Sequence, residues 1–181
     1  TTYMINRERL ATLRAKEDAR FLALHPKSGE MFKAGQVNMP GGVPMSWMAK
    51  WPGAYPVFVK EAKGARFSDV DGNTYIDFCL GDTGSMTGHS PDATVAAIRE
   101  QVGKGITAML PTQDAAIVSA ELAKRFGLPL WQFTVSATDA NRHVIRYSRM
   151  ITGRKRIVVI DRCYHGSVDE TFATLDSLGN T

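Results

Sequence analysis

Cysteine is scarce in this chain: its 181 residues contain two, Cys79 and Cys163. They lie far apart with no second ligand pair nearby. That excludes a disulfide framework and a paired-ligand zinc site, and it suits free thiols in a reducing compartment. A cytoplasmic protein is expected. No apolar run approaches the ~20 residues that span a bilayer, and the first residues lack a signal-like pattern, so no membrane partner is expected. A strong charge of one sign is missing too. The net charge is +4, and the basic residues are scattered rather than interleaved with aromatics, which argues against nucleic acid as a partner. Repeats and low-complexity tracts are lacking. What remains is ordinary for a globular protein: 44% hydrophobic and 22% charged residues, in a length that can bury a real core.

From its start, the chain reads as one or two partly amphipathic helices over residues 4–35, with Leu10, Leu13, Phe21, Leu22 and Leu24 among charged residues. Asn38 to Trp51 opens with helix breakers and is unusually apolar for a loop. Such a loop has to be covered, by protein core or by bound substrate. Tyr55 to Phe78 changes to period two, with turns at Lys63-Gly64 and Asp71-Gly72-Asn73, and predicts a three-stranded antiparallel meander. Asp69, Asp71 and Asn73 invite a calcium-loop reading, but the later glycine and terminal glutamate of an EF-hand are missing. They read as a hairpin turn, and no metal is expected.

Gly81 to Pro91 is rich in glycine, yet it fits neither a dinucleotide fingerprint nor a P-loop. No nucleophile elbow surrounds Ser85 or Ser90, and His89 reads as a helix-entry residue before Pro91. Helices follow over 92–103 and 112–126, the second with Thr112 as N-cap.

The densest chemistry lies in Phe133 to Gly166. An apolar β-type run ends at Val135, and a helix with Ala140, Val144, Tyr147 and Ile151 near one face closes at Thr152-Gly153. Ile157 to Ile160 is a second β-type run. The pattern is β-α-β, and it predicts neighbouring parallel strands at 131–135 and 157–160. Ser136-Ala137-Thr138-Asp139 opens the helix. Free N–H groups and the positive dipole end attract a phosphate there, with hydroxyls of Ser136 and Thr138 as further donors. The same residues also read as a plain capping box, and both readings can hold at one helix end. Cys163-Tyr164-His165-Gly166 follows the second run, at the sheet edge where open α/β folds bind ligands. Tyr164 is placed to stack on a flat ring.

Ser136-Ala137-Thr138-Asp139-Ala140-Asn141, Thr152-Gly153-Arg154 and Cys163-Tyr164-His165-Gly166 together resemble the phosphate and ring-stacking motifs of class III pyridoxal-phosphate aminotransferases. The similarity is greatest to the glutamate-1-semialdehyde 2,1-aminomutase-like branch, and it covers roughly residues 37–175. It implies an α/β fold: part of the large domain of PLP fold type I (aspartate aminotransferase-like), preceded by N-terminal helices and the small antiparallel meander. It implies pyridoxal 5'-phosphate as cofactor, bound by Ser136, Ala137, Thr138, Tyr164 and His165. A homodimer is implied as well, and the loop at 38–51 is implied to lie over the active-site mouth.

Four positions depart from the family pattern. Ala137 and Asp139 replace the usual glycine and glutamate. Met48 falls where the aminomutase branch carries a carboxylate-gripping arginine, and Asp82 where it often has a tryptophan. With Trp47, these make an apolar substrate pocket edged by one negative charge. The expected activity is therefore that of a transaminase (EC 2.6.1-type), acting between an apolar or aromatic amino donor and a 2-oxo acid acceptor. The alternatives are the aminomutase reaction and a non-catalytic phosphate-binding fragment. The Schiff-base lysine motif of the family is not in this chain, so no catalytic residue is nominated and the 181 residues alone are expected to be inactive. Expected divisions are a helical arm and apolar loop (1–54), the meander (55–80) and the first part of the cofactor-binding domain (81–181).

Overall fold

The computed structural model describes residues 5–180. Residues 1–4 and 181, where the expected arm begins and the expected last segment ends, lie outside them. The chain divides into two compact units, Thr1–Thr107 and Ala108–Thr181.

The first unit opens with helices α1 (Arg7–Leu24) and α2 (Pro26–Gly35). Asn6 caps α1 by accepting from the Arg9 N–H at 2.9 Å. His25 separates the helices, and Pro26 opens α2, because proline is tolerated in a first turn and not in a helix interior. α2 has no side-chain cap of its own. Asp71 supplies one from the meander: its carboxylate accepts from the N–H of Lys27 at 2.7 Å, and from the N–H and hydroxyl of Ser28 at 3.1 and 2.7 Å.

Strands β1 (Val59–Lys63), β2 (Arg66–Asp69) and β3 (Thr74–Ile76) form the expected antiparallel sheet in the order β1-β2-β3. Val59 pairs with Asp69 and Phe67 with Tyr75, and a bulge interrupts β1 between Val59 and Glu61. Asp69 is fully buried under the β2–β3 turn. It accepts from the backbone N–H of Asp71 and Asn73 and from the side chains of Asn73 and Tyr75. The turn is thus held by its own carboxylates. Helix α3 (Asp92–Val102) closes the unit.

The second unit contains α4 (Gln113–Phe126) and α5 (Ala137–Thr152). Thr112 stands at the expected N-cap position in extended conformation, but its side chain makes no capping bond. Gly127 and Gly153 end the two helices at φ +69° and +66°, a left-handed conformation that costs glycine nothing.

The expected parallel pair does not form. Neither 131–135 nor 157–160 is a hydrogen-bonded strand, and no backbone hydrogen bond joins them among the described residues. A parallel strand is held by neighbours at its edges, and among the described residues the one backbone hydrogen bond to either run is the turn contact from the Cys163 N–H to the Ile160 carbonyl. The second run does keep a strand's alternation: Ile157 and Val159 are half-buried beside α5, whereas Val158 is 99% exposed. The run is apolar on both faces, and pairing needs partners that these residues do not provide.

Candidate functional site

α5 begins where the apolar run ends because Ser136, with φ −147° and ψ 162°, can cap it. Its Oγ accepts from the Asp139 N–H at 3.2 Å and donates to Asp139 Oδ2 at 3.1 Å. The N-cap is therefore present, but the reciprocal bond of a full capping box, from the Ser136 N–H to Asp139, is not formed. Arg142 stands 3.8 Å from Asp139 and offsets its charge. The backbone N–H groups of Ala137 and Thr138 have no partner among the described residues. They form a donor pair at the positive end of a 16-residue helix, which is the arrangement that attracts an anion. Ala137 is helical rather than left-handed, so alanine in place of glycine carries no backbone strain there.

Tyr164 and His165 follow a turn in which Arg162 adopts φ +59°. With Arg162, Thr171 and Phe172 they border a hollow of about 280 Å³. Tyr164 is 77% exposed, and His165 is half-buried. Two bonds tie this loop to the start of α5. Thr138 Oγ1 accepts from the Ser167 N–H at 3.1 Å, and Asn141 Nδ2 donates to the His165 carbonyl at 2.8 Å. Gly166 is buried at φ +81°, and a Cβ there would stand 2.4 Å from Thr138 Oγ1. The helix start and the aromatic loop are therefore one packed element. It presents two free N–H donors, the Thr138 hydroxyl proton and an open aromatic face.

The other candidate residues belong to the first unit. Trp47 and Met48 lie in a short 3₁₀ turn, Ser46–Ala49, with Trp47 exposed and Met48 half-buried. Asp82 is exposed at φ +54°, in a loop where Leu80 and Thr83 are also left-handed. Three such non-glycine residues within four positions mark a strained loop that its surroundings must hold. Asp77 and His89 do so. Asp77 Oδ1 accepts from the N–H groups of Cys79 and Leu80 at 2.8 and 2.9 Å, and Oδ2 accepts from His89 Nε2 at 2.6 Å. His89 Nδ1 then meets Ser85 Oγ at 3.2 Å. The His89 hydrogen bond, helped by those two N–H groups, holds the Asp77 carboxyl below the usual carboxylate range. His89 is thus more than a helix-entry residue, because its ring clamps both ends of the loop. The backbone pairing of Gly64 with His89 fixes the clamp to the sheet.

Asn141, Gly166 and the Asp77–His89 pair were not singled out as functional residues from sequence. Asn141 lies in the motif that opens α5, four residues before Ile145 on a half-buried face, and that spacing is a usable signal. The Asp77–His89 contact spans 12 positions and left no pattern to read.

The family model for aminotransferase class-III matches residues 47–179. A glutamate-1-semialdehyde 2,1-aminomutase of Methanocaldococcus jannaschii is 38% identical over 144 residues, covering 79% of this chain and 33% of that protein. A crystal structure of a glutamate-1-semialdehyde-aminomutase from Pseudomonas aeruginosa PAO1, in complex with PMP, matches with a TM-score of 0.91 and 48% identity. It covers 98% of this chain and 39% of that one. A β-phenylalanine aminotransferase from Variovorax paradoxus matches at a TM-score of 0.80 and 29% identity, covering 87% and 36% of the two chains. The chain spans about a third of the length of the curated relatives it matches. With these structures it shares the PLP fold type I architecture, here as helices with a small antiparallel sheet ahead of the α5 element. The match over 47–179, together with the helix start and aromatic loop, establishes that this chain belongs to the class III aminotransferase family.

Proposed function

We propose that the α5 element holds pyridoxal 5'-phosphate in an enzyme of the 2,1-aminomutase type, one that moves an amino group between carbons 2 and 1 of glutamate-1-semialdehyde. The observation that carries the reading is the union of a donor-bearing helix start with an exposed tyrosine loop, through Thr138–Ser167 and Asn141–His165. Ala137 and Thr138 N–H groups and the hydroxyls of Ser136 and Thr138 suit a phosphate, and Tyr164 suits the flat ring. When bound, the cofactor supplies the group that accepts and returns the amine, and a ring that withdraws electrons. The residues of this chain bind and orient it. Thr138 would donate a hydrogen bond from its hydroxyl to the phosphate, and Tyr164 and His165 would hold the ring. The aminomutases among the relatives favour this substrate over a general amino donor.

A second reading keeps the same cofactor site in a transaminase acting between an apolar or aromatic amine and a 2-oxo acid. Its support is Met48, which together with Trp47 offers adaptable apolar contact and no fork for a carboxylate. The likeness to a β-phenylalanine aminotransferase points the same way. In either case we propose a homodimer, because Leu10, Leu13, Leu22 and Leu24 of α1 all remain exposed and need cover. The exposed free thiols of Cys79 and Cys163 fit a cytoplasmic enzyme.

Titrating the whole protein with pyridoxal 5'-phosphate, followed by the visible absorbance of the bound cofactor, tests the site. Binding that Tyr164→Ala weakens is the expected result. Affinity unchanged in Tyr164→Ala and in Thr138→Ala together would remove the reading.

A further inference from the structure

We infer that Asn141 is a positioning residue for the cofactor ring, acting through the loop that carries Tyr164. The inference rests on the proposed cofactor site and deepens it. Asn141 sits half-buried at the second turn of α5, and its Nδ2 donates to the carbonyl of His165, the residue after Tyr164, at 2.8 Å. A carbonyl is an acceptor only, so the Asn141 amide group is oriented by the contact: Nδ2 faces the loop and Oδ1 faces away. The other tie between helix and loop, from the Ser167 N–H to Thr138 Oγ1, lies on the far side of Gly166. Gly166 has no room for a side chain against Thr138. The loop is thus pinned immediately before and after this close contact, and the pin on the Tyr164 side is Asn141.

The consequence is geometric. Tyr164 is exposed and has no side-chain hydrogen-bond partner among the described residues, so the loop backbone alone sets where its ring is carried. With the His165 carbonyl anchored on α5, the tyrosine is referred to the same helix whose first turn receives the phosphate. Phosphate cradle and ring platform then keep a fixed separation, which a rigid cofactor needs at both ends. Without the anchor the phosphate site stays intact, but the ring platform can shift.

The experiment compares Asn141→Asp, Asn141→Ala and Asn141→Gln with Tyr164→Ala and wild type, all in the whole protein. Asn141→Asp is isosteric, but it puts a carboxylate against a carbonyl and reverses the contact. Asn141→Ala removes the contact without repulsion, and Asn141→Gln keeps the donor. Readouts are the affinity for pyridoxal 5'-phosphate and the visible circular dichroism of the bound cofactor, which reports how the ring is held. Asn141→Asp is expected to weaken affinity by about five- to tenfold and to change the dichroism band. Asn141→Ala moves both in the same direction, Asn141→Gln recovers part of each, and affinity for inorganic phosphate stays within about twofold in all three. Wild-type affinity and dichroism in Asn141→Asp and Asn141→Ala, while Tyr164→Ala still weakens binding, would overturn the inference and leave the cofactor site standing. If Tyr164→Ala also left affinity unchanged, the site reading would fall with it.

Discussion

Thr138 and Ser167 are joined by a hydrogen bond of 3.1 Å from the Ser167 N–H to the Thr138 hydroxyl, 29 positions away in sequence. Thr138 therefore has two tasks: its oxygen accepts from the aromatic loop, and its hydroxyl keeps a proton to donate. Thr138→Ala is expected to weaken cofactor binding by about 1.5–3 kcal/mol, roughly ten- to hundredfold, as befits a charge-assisted bond. Thr138→Ser keeps the hydroxyl and is expected to stay within about threefold of wild type, measured by the same absorbance titration.

Gly166 faces two separate penalties if replaced. At φ +81° a side chain is strained by about 1–2 kcal/mol. The new Cβ would also meet Thr138 Oγ1 at 2.4 Å and Thr138 Cα at 3.0 Å. Gly166→Ala is expected to lower both thermal stability and cofactor affinity. Adding Thr138→Ala removes the hydroxyl clash but not the φ strain, so the double variant should recover stability only in part. Thermal unfolding of the whole protein checks both statements.

Asp71 makes the stability of the first unit depend on acid. Burial raises its carboxyl, but the hydrogen bonds from Ser28 and the Lys27 N–H outweigh that and hold it below its ordinary value. Asp69 behaves likewise: burial raises it, and the bonds from Asn73, Tyr75 and the turn N–H groups more than compensate. A carboxyl lowered on folding contributes stability above its unfolded pKa, and that contribution is lost as pH falls through the folded one. Asp71→Ala, which removes the cap of α2, is expected to cost about 1–2 kcal/mol at neutral pH. The gap to wild type should close below about pH 4. Denaturant unfolding at a series of pH values would show this. A gap that stayed constant down to pH 2 would contradict the role given to the ionised carboxylate.

The Asp77–His89 clamp should govern the mobility of the strained loop. His89→Ala and Asp77→Ala are both expected to speed amide hydrogen exchange at residues 79–88, where Leu80, Asp82 and Thr83 are left-handed. Exchange in β2 and β3 should change little, since their ladder does not involve either side chain.

Much of this architecture was legible in local sequence. The meander was readable because its turns carry glycine, aspartate and asparagine at the positions the hairpins need, and β1 to β3 follow them closely. α5 was readable from Ser136 before it and Gly153 after it. The parallel ladder at 131–135 and 157–160 was not predictable in the same way, because pairing is decided by distant backbone. The bond between Asn141 and His165 shares this character: one end is a side chain and the other a carbonyl, and every residue has a carbonyl. His25 shows the reverse. Nothing local set it apart, yet the fold buries it between the Phe21 carbonyl at 2.7 Å and the Tyr75 hydroxyl at 2.6 Å.

Turnover of the whole, cofactor-loaded protein separates the two proposed reactions. Glutamate-1-semialdehyde, supplied alone, would be compared with aromatic and branched amino donors, each supplied with a 2-oxo acid. Efficient isomerisation of glutamate-1-semialdehyde is expected, with kcat/KM at least about tenfold above that of any donor and acceptor pair. A clear preference for an aromatic or branched donor, with little isomerisation, would contradict the aminomutase reading and favour the pocket of Trp47 and Met48.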